Sequence, residues 1–181
     1  ICITCGANGM GLETGRYFSR KGWLVGLLDR DEPTLKEAAT EFDINSVFTA
    51  AIDVTRLEDL NNAMEEYSVF TGGRMDIMFN NAGIAPGGWF DEMSVNEMRQ
   101  ILEVNVMGVF NSIRAALPLL KVTPNSLCLS TSSSCATFGH ARRAVYTASK
   151  FAVKGLTEAL SLEFERFGIR TADILPGCID T

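Results

Sequence analysis

The chain has 181 residues, 46% hydrophobic and 21% charged, with a formal net charge of −6. That length fits one domain with a sizeable core, and the composition is that of an ordinary globular chain rather than a disordered one. A negative balance without clustered Lys and Arg argues against a nucleic-acid partner, and no apolar run is long enough to cross a membrane.

Taken in order, short apolar strands alternate with amphipathic, helix-length segments. A strand over 1–4 runs into a glycine-rich turn and a helix over 10–21; a strand over 23–28 is followed by a helix over 33–42. Next come a strand over 47–52, a helix over 56–70 and a strand over 76–79. A long helix over 95–120, a strand over 127–131, a helix over 144–167 and a strand over 171–175 complete the chain. Thr55 with Glu58 and Ser94 with Glu97 have the spacing of capping boxes, and Gly168 fits a helix C-cap. The alternation implies an α/β fold, a three-layer, doubly wound parallel sheet in order 3-2-1-4-5-6, with right-handed crossovers and one domain over 1–181. The chain starts without Met and stops at Thr181 in what reads as mid-loop, so a longer parent protein is expected. Five cysteines, with no basic and apolar leader at the start, point to reduced thiols and a cytoplasmic location. Cys2 and Cys5 have C-x-x-C spacing, but strand residues three apart face opposite sides. Cys2 is therefore read as a small buried residue.

The turn after the first strand reads Thr4-Cys5-Gly6-Ala7-Asn8-Gly9-Met10-Gly11. Such a turn lets backbone N–H groups at Cys5, Asn8, Gly9, Met10 and Gly11 approach a pyrophosphate at a helix N-terminus. A tight strand–helix turn without ligand is the plainer alternative. Asp29 ends the second strand 18 residues after Gly11, the spacing of a ribose-binding acid that repels a 2′-phosphate. It favours NAD over NADP. Arg30 is the contrary hint, as a guanidinium able to meet that phosphate or as a solvated charge. Asp53, with Val54 beside it, stands where an adenine edge would lie, or serves as a helix-start residue. Asn81, Ala82 and Gly83, after Asn80, leave room for an adenosine while the amides pin strand ends; a bare turn has the same composition.

Tyr146 and Lys150 lie four apart at the start of a helix, one turn apart on one face. A phenol has a pKa near ~10 and is a weak base, but a cation about 4 Å away in a dielectric near ~20 is worth about 4 kcal/mol. Lys150 is of the right type and spacing to make Tyr146 a usable acid/base, although surface Tyr–Lys pairs are common. Ser133 lies 13 residues before Tyr146, beyond the fifth strand, where a hydroxyl can steady charge on a substrate oxygen. Ser130, Ser132 and Ser134 are neighbouring alternatives. Asn105, inside the long helix, is either a satisfied polar spot or part of a proton-conducting water chain. His140, Trp89 and Phe90 are read as wall or packing residues, and Arg142 and Arg143 as solvated or as attracting an acidic substrate.

In this order and on these elements, the residues resemble the single-domain Rossmann branch of the short-chain dehydrogenase/reductase family, over the whole chain. The resemblance implies Tyr146 as general acid/base, Ser133 orienting the substrate oxygen, Lys150 on the nicotinamide ribose and Asn105 in a water relay. Pro176, Gly177 and Thr181 would flank the nicotinamide. The implied activity is hydride transfer between NAD, with NADP less favoured, and an alcohol or ketone, by a homodimer or homotetramer. The family's Thr-Gly-x-x-x-Gly-x-Gly is altered here, with Cys5 where the first glycine belongs, and the usual lid and seventh strand are missing, which would leave the sixth strand an edge. A non-catalytic nicotinamide-binding sensor is the alternative, with Cys5 its one supporting feature. A methyltransferase has no use for the Tyr146–Lys150 pair.

Overall fold

The computed structural model describes residues 1–179. Six strands, β1 (Cys2–Thr4), β2 (Val25–Asp29), β3 (Val47–Ala51), β4 (Ile77–Asn80), β5 (Leu127–Thr131) and β6 (Arg170–Ile174), form one parallel sheet. Their order is β3-β2-β1-β4-β5-β6, as the alternation of elements implied. All five residues of β2 are buried, as a strand covered on both faces requires. β3 and β6, at the edges, are half-exposed.

The helices are α1 (Gly9–Ser19), α2 (Glu32–Ala39), α3 (Leu57–Thr71), α4 (Val95–Leu102), α5 (Gly108–Val122) and α6 (Ala144–Glu163). The period of two in the strands divides the core between two faces. Ile3, Leu27 and Phe79 pack with Leu12 of α1 and Leu35 of α2. Cys2, Leu28, Met78 and Cys128 pack with Leu60 and Tyr67 of α3, Ile113 and Leu120 of α5 and Val153 of α6. Cys2 is thus the small buried core residue that was expected, and burial pushes its thiol up to about 12.

Three expectations are corrected. The capping box at Thr55 does not form: Thr55 Oγ1 and N both donate to Asp53 Oδ1, so the side chain closes a turn before α3, whose N-cap is Arg56. The box at Ser94 and Glu97 does form, with both reciprocal bonds present. The helix read as continuous over 95–120 is interrupted by a π-helical turn, Glu103–Met107, between α4 and α5. The last helix likewise ends at Glu163; a 3₁₀ turn, Glu165–Phe167, follows and is closed by Gly168 in the left-handed region at φ 69°.

Gly26 of β2 faces Tyr67, which is 1% exposed. A Cβ at Gly26 would lie 2.7 Å from the Tyr67 ring, and a buried aromatic ring has little freedom to retreat. Gly26→Ala is expected to destabilise the fold by about 1–3 kcal/mol, seen as a lowered urea midpoint at unchanged slope.

Candidate functional site

The carboxyl ends of β1 to β4 surround a cleft of about 260 Å³ beside the point where the strand order reverses. Of the residues singled out from sequence, Cys5, Asn8, Asp29, Arg30, Asp53, Val54, Ala82 and Gly83 line it. Gly9 and Met10 form the first turn of α1, whose N-cap, Asn8, makes no side-chain capping bond. The N–H groups of that turn are therefore left for another acceptor. At Gly11 a Cβ would fall 2.1 Å from the Cys5 carbonyl oxygen, so only glycine fits.

Cys5 takes the left-handed conformation, φ 55°, that glycine would adopt at low cost. For a residue with a Cβ this costs about 1–2 kcal/mol. Its thiol is pushed up to about 11, first by burial and then by the Asp29 carboxylate. Asp29 is held in place by two backbone donors, Ala7 N to Oδ2 and Asp31 N to Oδ1, each at 3.1 Å. Asp53 both lines the cleft and serves the local turn through Oδ1. Arg30 is exposed at the rim.

The amides after β4 pin strand ends, as their type suggested. Asn80 Nδ2 donates across to Leu129 O and Ser130 Oγ, both at 3.2 Å. Asn81 Nδ2 donates to Thr4 O, while Thr4 Oγ1 accepts from both Asn81 N and Ala82 N at 3.0 Å.

Around Tyr146 the groups are linked in two chains. Asn105 lies in the π turn, fully buried; its Oδ1 accepts from Ile84 N at 2.8 Å and its Nδ2 donates to Ile84 O and Ser149 Oγ. Ser149 Oγ in turn donates to Tyr146 O at 2.6 Å. These bonds satisfy the amide and fix the loop after β4 to α6. In the second chain Lys150, 4% exposed, donates through Nζ to Thr131 O at 2.8 Å, and that ammonium lies 5.7 Å from the centroid of the Tyr146 ring. Burial lowers its pKa from 10.5 to about 8. Ser132 Oγ holds the backbone of the same residue by donating to Lys150 O.

Ser133 Oγ accepts from Cys135 N, capping the 3₁₀ turn Ser134–Ala136, and makes no hydrogen bond to Tyr146 among the described residues. Ser130 and Ser132 are committed to Asn80 and Lys150. Pro176 O accepts from Ser134 N, which ties the segment containing Gly177 to the Ser133 loop. Thr181 lies outside the described residues. Sequence reading assigned no role to Ser149 or Ile84; the signal for Ser149 was its place three residues after Tyr146, one turn along the same face, and Ile84 acts through its backbone, which leaves no side-chain signal. His140 is exposed, its ring 4.6 Å from that of Phe138, and Trp89 and Phe90 are more than half exposed.

Comparison with known proteins identifies relatives of this chain. A family model described as short chain dehydrogenase matches residues 1–181. The chain is 33% identical to an L-fucose dehydrogenase of Bos taurus over 182 residues, all of this chain and 66% of that protein. It is 31% identical to a 3-ketodihydrosphingosine reductase of Bacteroides thetaiotaomicron, all of this chain and 64% of that one. It therefore spans about two thirds of the length of these relatives. A crystal structure of 3-ketoacyl-(acyl-carrier-protein) reductase from Brucella melitensis complexed with NADH superposes with a TM-score of 0.91 at 27% identity, covering 97% of this chain and 74% of that one.

The buried ammonium makes stability depend on pH. The unfolded chain holds the Lys150 proton up to 10.5 and the folded chain only to about 8, so the unfolded state binds more protons between these values. Stability contributed by this group therefore rises with pH across that window. Relative to Lys150→Met, the wild type is expected to gain about 3 kcal/mol between pH 7 and 11, measured by urea unfolding at fixed ionic strength.

Proposed function

The chain belongs to the short-chain dehydrogenase family, and from this premise we propose that it is an oxidoreductase interconverting an alcohol and a ketone with a nicotinamide dinucleotide, NAD in preference to NADP. The observation that carries the reading is the buried Lys150 ammonium, one helical turn from Tyr146, with a single protein acceptor among the described residues. An ammonium has three donors, so two remain for a ligand.

The residues present fit a dinucleotide. The uncapped first turn of α1 suits a pyrophosphate, and Gly11 keeps that turn against the Cys5 carbonyl. Asp29, its carboxylate oriented by two N–H groups, suits ribose hydroxyls and disfavours a 2′-phosphate. Asp53 and Val54, with Ala82 and Gly83 opposite, suit the adenosine, and Pro176 and Gly177 beside the Ser133 loop suit the nicotinamide end. When bound, the cofactor supplies or accepts the hydride. Lys150 holds the nicotinamide ribose hydroxyls with its two free donors. Tyr146 exchanges a proton with the substrate oxygen, and Ser133 donates its hydroxyl hydrogen to that oxygen while its lone pair keeps Cys135 N. Asn105 Oδ1 keeps one lone pair after accepting from Ile84 N, which suits it to a water relay to Lys150. The chain is read as one domain. Exposed apolar Met107 of the π turn, Phe110 of α5 and Phe151 of α6 support a homo-oligomer.

Fluorescence titration with NADH and NADPH is expected to show tighter binding of NADH. Tyr146→Phe is expected to keep NADH binding and to lower turnover of ketones by about 10²–10⁴-fold. Binding by neither cofactor would overturn the reading, and NADH binding without turnover of any carbonyl would make the chain a sensor. Because Cys5 lines the cleft in a left-handed conformation that favours glycine, with its thiol beside Asp29, Cys5→Gly is expected to tighten NADH binding by about tenfold, equivalent to about 1.4 kcal/mol; unchanged affinity would assign Cys5 no part in it.

A further inference from the structure

We propose that the substrate carries an anionic group, a carboxylate or phosphate, and that Arg142 and Arg143 bind it at the mouth of the site; this rests on the oxidoreductase reading above. The two arginines precede Tyr146 by four and three residues, Arg143 being the N-cap of α6. They are locked against the loop after β4. Arg142 O accepts from Gly88 N at 3.0 Å, and Arg143 Nη1 donates to Ala85 O. A Cβ at Gly87 would touch both Arg142 O and the Arg143 guanidinium at 3.4 Å, so the bare glycine lets the chain pass close by. Arg142 adopts φ 63°, a strained conformation for a non-glycine residue, and its guanidinium carbon lies 5.9 Å from the Trp89 ring centroid.

That loop starts at the reacting end. A Cβ at Gly83 would be 3.4 Å from Lys150 Nζ, and Ile84 is clamped by Asn105. Ala85 is two residues beyond Gly83, a span of at most about 7 Å of chain. The Arg143 guanidinium is thus fixed on the loop that begins beside Lys150, with one donor spent on Ala85 O and the others free to form the planar fork that matches an oxyanion.

Neither arginine has an acidic partner within ion-pair distance among the described residues, although Asp91 and Glu92 stand on the facing loop. Among the described residues only Arg16, Lys36, Arg56, Arg74 and Lys154 have one, so what distinguishes Arg142 and Arg143 is their place on the loop that leads from Lys150. A chain of net charge −6 repels anions at long range, so an unpaired arginine pair on the loop that leads from Lys150, one guanidinium anchored on Ala85 O, selects for one locally. A hydroxy or keto acid and a phosphorylated hydroxyketone are the simplest substrates that carry such an anion.

The test compares acetoacetate with acetoacetamide, and dihydroxyacetone phosphate with dihydroxyacetone, in NADH oxidation by the wild type, Arg142→Gln/Arg143→Gln and Arg142→Lys/Arg143→Lys. The anionic member of at least one pair is expected to have the higher kcat/KM by about tenfold or more, equivalent to about 1.4 kcal/mol. That ratio should collapse in the Gln variant, recover in part in the Lys variant and fall with added salt; which pair responds separates carboxylate from phosphate. Turnover with no preference for the anion, or a preference that survives in the Gln variant, overturns the proposal. If no carbonyl is turned over, the oxidoreductase reading has failed, and a thermal-shift arm still decides the anion site. Stabilisation by acetoacetate or dihydroxyacetone phosphate but not by its neutral partner, lost in the Gln variant, supports it; equal shifts overturn it.

Discussion

The Lys150 ammonium lies almost wholly out of water with one carbonyl oxygen among the described residues, that of Thr131, as its hydrogen-bond acceptor. Removing a full charge from water costs several kcal/mol even after relaxation, and one neutral carbonyl restores only part of it. The lowered pKa is the same deficit expressed in protons. Several neighbouring features make the arrangement tolerable. The Tyr146 ring offers its electron-rich face at 5.7 Å, Ser132 holds the Lys150 backbone, and the missing side chain at Gly83 leaves space beside Nζ. A charge stabilised this incompletely gains from any ligand bearing hydroxyl oxygens, which is why a residue that weakens the empty fold suits a binding site.

Holding that charge still requires α6 to be fixed against the ends of β4 and β5, and the π turn does this. An α-helical run over 95–120 would continue past Asn105 without interruption; the π turn widens the helix there and the amide is met by both backbone groups of Ile84. Through Ser149 the same amide reaches the backbone of Tyr146. One side chain therefore couples the loop after β4, the α4–α5 segment and the helix bearing Tyr146 and Lys150. A buried amide with all three of these bonds made is stabilising, whereas losing one partner would strand a polar group without water.

The sheet order and the grouping of the cleft residues were readable in the sequence because both follow from periodicity and from where strands end. Asp29, Asp53 and Gly83 come together simply because parallel strands deliver their carboxyl ends to one edge. The π turn was not readable, since its cause is a tertiary contact with Ile84, 21 residues away, that leaves no local pattern. The Thr55 box failed for a related reason: Asp53 competes for the same hydroxyl and amide at shorter range. Cys5 was visible as an exception at a glycine position, but its left-handed backbone and its thiol's place beside Asp29 required coordinates.

The segment from Thr4 through the β4 end to Ala85 shows how the two halves of the site depend on each other. Thr4 Oγ1 accepts from Asn81 and Ala82, so the glycine turn and the β4 loop start from one shared hydroxyl. The same loop then passes Lys150 at Gly83, Asn105 at Ile84 and Arg143 at Ala85. Strain at Cys5 lies at one end of this strip and strain at Arg142 beside the other, the two positive-φ non-glycine residues bordering the site. Backbone held in such conformations persists only where surrounding contacts over-determine it. Both positions meet that condition: Asn81 Nδ2 donates to Cys5 O, and Gly88 N donates to Arg142 O. The strip is therefore held by backbone contacts at both ends, and its geometry, more than any one side chain along it, sets the distance between Cys5 and Arg143.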